Sequence, residues 1–408
     1  MTMITREIPE KLRSKKHRQK RKANDRVHYM DNLRAYAMLL GIVFHAVLAY
    51  SPLSYNIWLS ADTQQSAIID FIAWCVHLFR MPLFFLIAGY FAFYLIEKRG
   101  IGEMVKNRAR RILLPLVLFL PLLMAAMFFV LGQAAQMVEH PGPMLESITK
   151  IIDQPDAAHG PIRTMHLWFL YVLLYMYALA ALFFKTNSVD SINHWMNKNP
   201  LLFMVVSPLL VALSLVTTIK PHPSPETFTP ELWSLGFYGF FFLLGCCIFR
   251  NNVFIEKLED YWKILLAIGM IAYAGFYLLL PEPMSVAESM SGAAHVPITF
   301  VQGVSSLLEG IAAVYLTLTF LVIGKKYLNN KSQTARYIAD SSYWIYLVHL
   351  PILLYIQFML IDTELNMWIK LTFSCGATFL IGIASYALLV RWTPIGWLLN
   401  GKRKSLLK

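Results

Sequence analysis

Ten apolar stretches, most of them close to twenty residues long, recur along this chain and limit what it can fold into. They run roughly over 33–52, 67–96, 112–132, 166–184, 201–219, 233–249, 262–280, 300–323, 343–361 and 367–390. A helix needs about 20 such residues to cross a hydrocarbon core of about 30 Å. Inside lipid its backbone polar groups have to be satisfied within the segment. The expectation is therefore all-α: a polytopic integral membrane protein with about ten transmembrane helices. Charged residues make up 15% of the 408, against about 25% in soluble domains. The second stretch is long and carries Arg80 and Pro82 near its centre. It reads either as an interfacial helix followed by a span or as one kinked helix. No internal repeat and no sizeable soluble domain is evident.

The flanks set the orientation. Residues 1–29 hold ten Lys or Arg, from Arg6 to Arg26, without an apolar core, so they are not a signal peptide. They read as a disordered cytoplasmic tail that meets anionic lipid headgroups. Nucleic-acid binding is disfavoured, because nothing folded accompanies the basic run. Residues 30–395 form a single transmembrane domain, and 396–408 a second basic tail. With the N-terminus inside, the cytoplasmic segments hold 30 of the 36 Lys and Arg. The opposite segments hold Lys150, Arg163 and Lys220, while Arg34, Arg80 and Lys370 lie in or at the edges of spans. Both termini are expected to be cytoplasmic, with 133–165 and 281–299 as the outer loops. Cys75, Cys246, Cys247 and Cys375 fall in apolar segments without metal-ligand spacing and read as reduced packing residues.

The first span carries the strongest chemical signal. In DNLRAYAMLLGIVFH, Arg34 and His45 are eleven residues apart. At about 100° per residue they share one face, and at about 1.5 Å per residue they are separated by roughly 16 Å. If Arg34 marks an interface, His45 sits near the midplane, where an ionisable side chain is a functional candidate by default. Met38 and Gly41 fall on the same stripe, and Gly41 leaves room for a group close to the backbone. Asp31, one turn before Arg34, is placed to pair with it. The bland alternative is an interfacial arginine and a satisfied core histidine.

Six more residues, in four places, stand out. Arg80, in HLFRMPLFFLIAGYF, must face the protein interior or a water-filled cavity. It is a candidate for binding an anionic group, against a structural ion pair with Glu309 or Asp340. Arg108 and Arg111 share a face in KNRARRILLP and suit phosphates, against a plain positive-inside bias. His166 and Trp168 open the fourth span either as an aromatic belt or as the lining of a sugar site. His349 lies inside the ninth span, just before Pro351, either packed or part of a pocket. The chain has no GxSxG, no phosphate-binding glycine loop, no HExxH and no CxxC, which leaves serine-hydrolase, nucleotide-hydrolysing and zinc mechanisms without support.

Together these segments resemble the acyltransferase-3 family of membrane acyltransferases. The residues that carry the likeness are Arg34 with His45, FFLIAGYF at 84–91, Arg108 with Arg111 ahead of ILLP, HLWFL at 166–170 and SSYWIYLVHLP at 341–351. The resemblance covers roughly residues 28–400 and is closest to the branch that succinylates osmoregulated periplasmic glucans. The family usually has Ser-Gly where this chain has Ala88-Gly89.

The resemblance implies an O-acyltransferase of the bacterial inner membrane. It would take succinyl-CoA, or acetyl-CoA, as a cytoplasmic co-substrate, with no tightly bound cofactor and no metal. The acceptor would be a hydroxyl of a periplasmic glucan. His45 would be the general base, and Arg34, Arg108 and Arg111 would bind the donor nucleotide. Arg80 would recognise the acyl carboxylate, and Asp31, His166, Trp168, His349 and Glu309 are acceptor or pocket candidates. The lipid bilayer is a partner, a homodimer is compatible with the sequence, and nucleic acid is not expected. Two alternatives stay open: an O-acetyltransferase of another envelope glycan, and a transporter of acylated sugar or lipid.

Overall fold

The computed structural model describes residues 28–152, 164–292, 295–329 and 332–401. The basic tail up to residue 27 and the C-terminal residues from 402 lie outside them. Among the described residues the architecture is helical, and each of the ten apolar stretches is helical over most of its length. Among the described residues seven helices are long and apolar enough to cross a membrane, or eight if one bent pair forms a single span.

That number differs from ten for identifiable reasons. The second and third stretches run on as one 71-residue helical stretch, Ala67–Met137. It comprises α2 (Ala67–Arg108), a wide π-type turn (Ala109–Leu113) and α3 (Leu114–Met137). The Pro200–Leu215 helix is short for a span. Trp262–Leu278 qualifies only together with Asn252–Leu258, from which it bends by 77°. Pro82 does not break α2. The non-helical residue is Gly100, at φ 84° and ψ 166°, a conformation that glycine adopts without a Cβ penalty.

The remaining long helices are α1 (His28–Val47), α5 (Trp168–Lys185), α8 (Leu232–Arg250), α12 (Phe300–Tyr327), α13 (Gln333–Leu360) and α14 (Met367–Ser385), where α4 is Pro143–Ile152, α6 Ser188–Lys198, α7 Pro200–Leu215, α9 Asn252–Leu258, α10 Trp262–Leu278 and α11 Val286–Ser291. Helices in lipid associate by close packing of small residues rather than by apolar burial. The α2–α8 contact does this: a Cβ at Gly89 would lie 1.9 Å from the Phe242 carbonyl oxygen, and one at Gly245 would lie 1.8 Å from that of Leu86. Gly89 belongs to the FFLIAGYF run, so part of that motif serves helix packing.

Between α1 and α2, residues 48–66 form a polar strap that turns back over the helix ends. Buried Asp70 accepts from the Ser51 hydroxyl, from Trp74 Nε1 (3.1 Å) and from the Tyr277 hydroxyl (2.7 Å). Asp62 pairs with Lys370 of α14 at 2.7 Å, both buried. Gln357 of α13 joins the strap to α1: Ser60 donates to its Oε1, and its Nε2 donates to the Ala46 carbonyl. These bonds satisfy groups that would be costly in hydrocarbon, and they hold Trp58 against His45, with ring centroids 5.5 Å apart and planes at 14°.

Candidate active site

The stripe on α1 leads from a wide basic cavity to a small histidine-lined one. The wide cavity, of about 640 Å3, is lined by five cations: Arg34, Lys98, Arg99, Arg108 and Arg111. Asp31 and Asp340 also line it. Asp31 pairs with Arg34 at 3.6 Å, as the one-turn spacing predicts. Arg108 lies over the Tyr177 ring at 4.7 Å, and its Nε has no hydrogen-bond partner. Arg111 donates to the Asn400 carbonyl at 3.3 Å, while the Tyr343 hydroxyl donates to the Arg111 carbonyl. These fixed, positively charged forks suit phosphate oxygens.

The second cavity, of about 40 Å3, has room for a few water-sized groups. It shares Met38, Phe84 and Phe169 with the first, so the two adjoin. His45, His77, Arg80, His166 and His349 line it, with Trp168, Tyr346 and Ser224. His45 and His349 have ring centroids 5.3 Å apart, and His349 and His166 5.0 Å. Four histidines therefore come together from α1, α2, the turn before α5, and α13. Among the described residues no group of three or more His, Cys, Asp or Glu could hold a metal ion.

Their hydrogen bonds fix three of the four tautomers. A backbone carbonyl only accepts, so the ring nitrogen bonded to it carries the proton. His166 donates from Nε2 to the Leu347 carbonyl at 3.0 Å, and His349 from Nδ1 to that of Tyr346 at 2.6 Å. His77 donates from Nε2 to the His222 carbonyl at 3.0 Å. In the neutral rings the other nitrogens, His166 Nδ1, His349 Nε2 and His77 Nδ1, are then acceptors, and each is buried without a partner. His45 differs: its Nδ1 is also buried without a partner, and no backbone carbonyl pins its ring.

Arg80 is not in the structural ion pair that stood as the alternative for it. Neither Glu309 nor Asp340 is its partner. Glu309 is taken by Lys220 at 2.5 Å and His222 at 2.7 Å. Arg80 is 8% exposed, lies over the Phe44 ring at 4.7 Å, and has no partner at Nε. Gly41 makes this possible, since a Cβ there would lie 2.8 Å from Arg80 Nη1. The room that the α1 stripe left at Gly41 is filled by arginine.

The predicted residues divide between the two cavities. Arg34, Arg108, Arg111 and Asp31 line the wide one, and His45, Arg80, His166, Trp168 and His349 the small one. Asp31 is thus away from the histidines, and Glu309 lines neither. His166 and Trp168 are buried, so they are not an exposed aromatic belt. Sequence reasoning left out His222, Ser224, Tyr346, Trp58, Lys98 and Arg99. In the sequence His77 enters only as the first residue of HLFRMPLFFLIAGYF, three positions before Arg80. A histidine between prolines in KPHPSP was the one available signal for the 220–225 segment.

These features define a multi-pass helical membrane protein with a basic cavity leading to a buried histidine cluster. The acyltransferase-3 family, described as an acyltransferase domain, matches residues 27–387, and the chain belongs to that family. It is therefore a membrane acyltransferase. It is 26% identical over 392 residues to glucans biosynthesis protein C of Escherichia coli O157:H7 (strain EC4115), covering 92% of this chain and 95% of that protein. The same identity and coverage hold for the proteins of that name in Escherichia coli K12 and Shigella dysenteriae serotype 1. No solved structure gives a significant match.

Proposed function

We propose that this acyltransferase moves a succinyl group from succinyl-CoA to hydroxyls of periplasmic glucans, with His45 as general base. The observation that carries this reading is the α1 stripe, which joins a five-cation cavity at Arg34 to the histidine cavity at His45. The donor's phosphates would rest on Arg34, Arg108 and Arg111, and its thioester would pass Met38 to reach His45. The charge bias of the sequence supports a cytoplasmic position for that mouth, at the inner membrane. The unpaired Arg80 guanidinium would meet the succinyl carboxylate, a group that is costly to bury without a cation.

The chemistry balances without a cofactor. A neutral imidazole of His45 takes the proton of the sugar hydroxyl as that oxygen attacks the thioester carbonyl. The tetrahedral intermediate collapses, the carbon–sulfur bond breaks, and the imidazolium returns the proton to the departing thiolate. The products are a succinyl ester and free CoA. Purified protein incubated with radiolabelled succinyl-CoA and a periplasmic glucan is expected to label the glucan with a base-labile ester. An active preparation that labels it only from acetyl-CoA overturns the donor assignment, and one that moves label across a membrane without forming ester overturns the enzyme reading.

A further inference from the structure

One wall of the histidine cavity is not helical. Between α7 and α8 the chain runs through residues 216–231, of which Thr218, Lys220, His222 and Pro225 are buried. Irregular backbone among membrane helices is tolerated where it is buried in protein or lines a cavity, and this segment is tied down along its length. Gln302 Nε2 donates to the Thr218 carbonyl at 2.7 Å, Val296 N to that of Thr217, and Thr164 N to that of Glu226. At its centre Glu309, fully buried on α12, accepts from Lys220 Nζ at 2.5 Å and His222 Nδ1 at 2.7 Å. Lys220 Nζ also donates to the Leu215 carbonyl at 3.0 Å.

A buried ion pair is weak evidence for stability, because desolvation offsets most of the attraction. It does fix geometry, and here it fixes the His222 carbonyl. That carbonyl receives the Nε2 proton of His77, whose ring lies 4.4 Å from the His222 ring. The tautomer this imposes turns His77 Nδ1 into a buried acceptor without a partner, and His77 is one of the residues that line the small cavity. Ser224, two residues past His222, lines the same cavity. No residue of 216–231 lines the wide basic cavity, so the segment meets the site from a side other than the donor mouth.

We propose that His77 is an acceptor-binding residue, its Nδ1 taking a hydrogen bond from a carbohydrate hydroxyl, and that Lys220, Glu309 and His222 are positioning residues that hold it in that tautomer. This deepens the acyl-transfer reading and rests on it. Hydroxyl groups fit the requirement because they donate without carrying charge, whereas a second cation or a carboxylate beside the buried Arg80 would be repelled or would compete for it. A packed histidine with no such role would leave Nδ1 paying its desolvation with no return.

The test separates acceptor from donor. Kinetics are measured with glucan and succinyl-CoA, and glucan binding is measured without donor. His77→Leu removes the acceptor atom and is expected to raise the glucan KM and dissociation constant about tenfold, the scale of one hydrogen bond, with the donor KM within twofold. His77→Gln keeps one donor for the His222 carbonyl and one acceptor for the cavity, and should restore the glucan KM to within about threefold of wild type. Glu309→Gln, or the charge-balanced pair of Glu309→Gln with Lys220→Met if the single variant does not fold, should raise the glucan KM severalfold and leave the donor KM in place. Equal shifts in both KM values, or an unmoved glucan KM in His77→Leu, overturn the proposal while wild-type turnover leaves the functional reading standing. Wild-type protein that makes no ester refutes the functional reading. Glucan binding weakened tenfold by His77→Leu in that case would still support the subsite.

Discussion

Replacing Arg80 with glutamine separates recognition from architecture, because the two roles predict opposite effects on stability. Arg80 has no carboxylate partner, so the change breaks no ion pair. It forfeits the contact with Phe44 at 4.7 Å, worth about 2 kcal/mol where desolvated. It also relieves the burial of a charge that is 8% exposed, a penalty of several kcal/mol even after relaxation. The thermal midpoint in detergent should therefore hold or rise. Function should move the other way. A charge-assisted hydrogen bond to the succinyl carboxylate contributes about 1.5–3 kcal/mol. With about 1.4 kcal/mol per tenfold, the ratio of kcat/KM for succinyl-CoA over acetyl-CoA should fall roughly 10- to 150-fold in Arg80→Gln. Both donors are assayed with the same glucan and the same preparation. Equal losses for the two donors, together with a lowered midpoint, would refute the reasoning and make Arg80 a framework residue.

His45→Ala should reduce ester formation by about 10² to 10⁴-fold, the usual contribution of a positioned base, with a detergent midpoint close to wild type; a variant that turns over normally counts against the assignment. Arg34→Ala should raise the acyl-CoA KM and leave the glucan KM alone, and steady-state kinetics with each substrate varied would reveal the reverse. Lys370→Met strands the Asp62 carboxylate (3% exposed), and one-sided loss of a buried pair costs about 3–5 kcal/mol, so the midpoint should drop by many degrees and recover when Asp62→Leu is added; an unchanged midpoint in the single variant would show that the pair does not hold the strap. For topology, a single cysteine at position 150 in a Cys-free variant should react with an impermeant thiol reagent on intact cells and one at position 20 should not, and the opposite pattern would invert the orientation.

The helices were legible because lipid demands them. Runs of apolar residues near twenty long admit hardly any other local structure, and every such stretch in this chain is helical over most of its length. The α1 stripe was legible for the same reason: a period of 3.6 residues puts Arg34, Met38, Gly41 and His45 in line without knowledge of any neighbour. Helix ends were less so. Pro82 left open either two elements or one kinked helix, and α2 continues through it; the non-helical residue is Gly100, whose φ of 84° carries no Cβ penalty in glycine. What the sequence could not decide was pairing between distant segments. Arg80 lies under Phe44 and without Glu309 because Lys220, 89 residues earlier than Glu309, already holds that carboxylate. His77 and His166 become acceptors only because carbonyls of distant residues, His222 and Leu347, pin their opposite nitrogens, whereas Tyr346, which pins His349, is one turn away on the same helix. Periodicity acts over a few turns of one helix; the choice of partner for a buried charge, and of tautomer for a buried imidazole, depends on which groups the packed bundle brings within 3 Å.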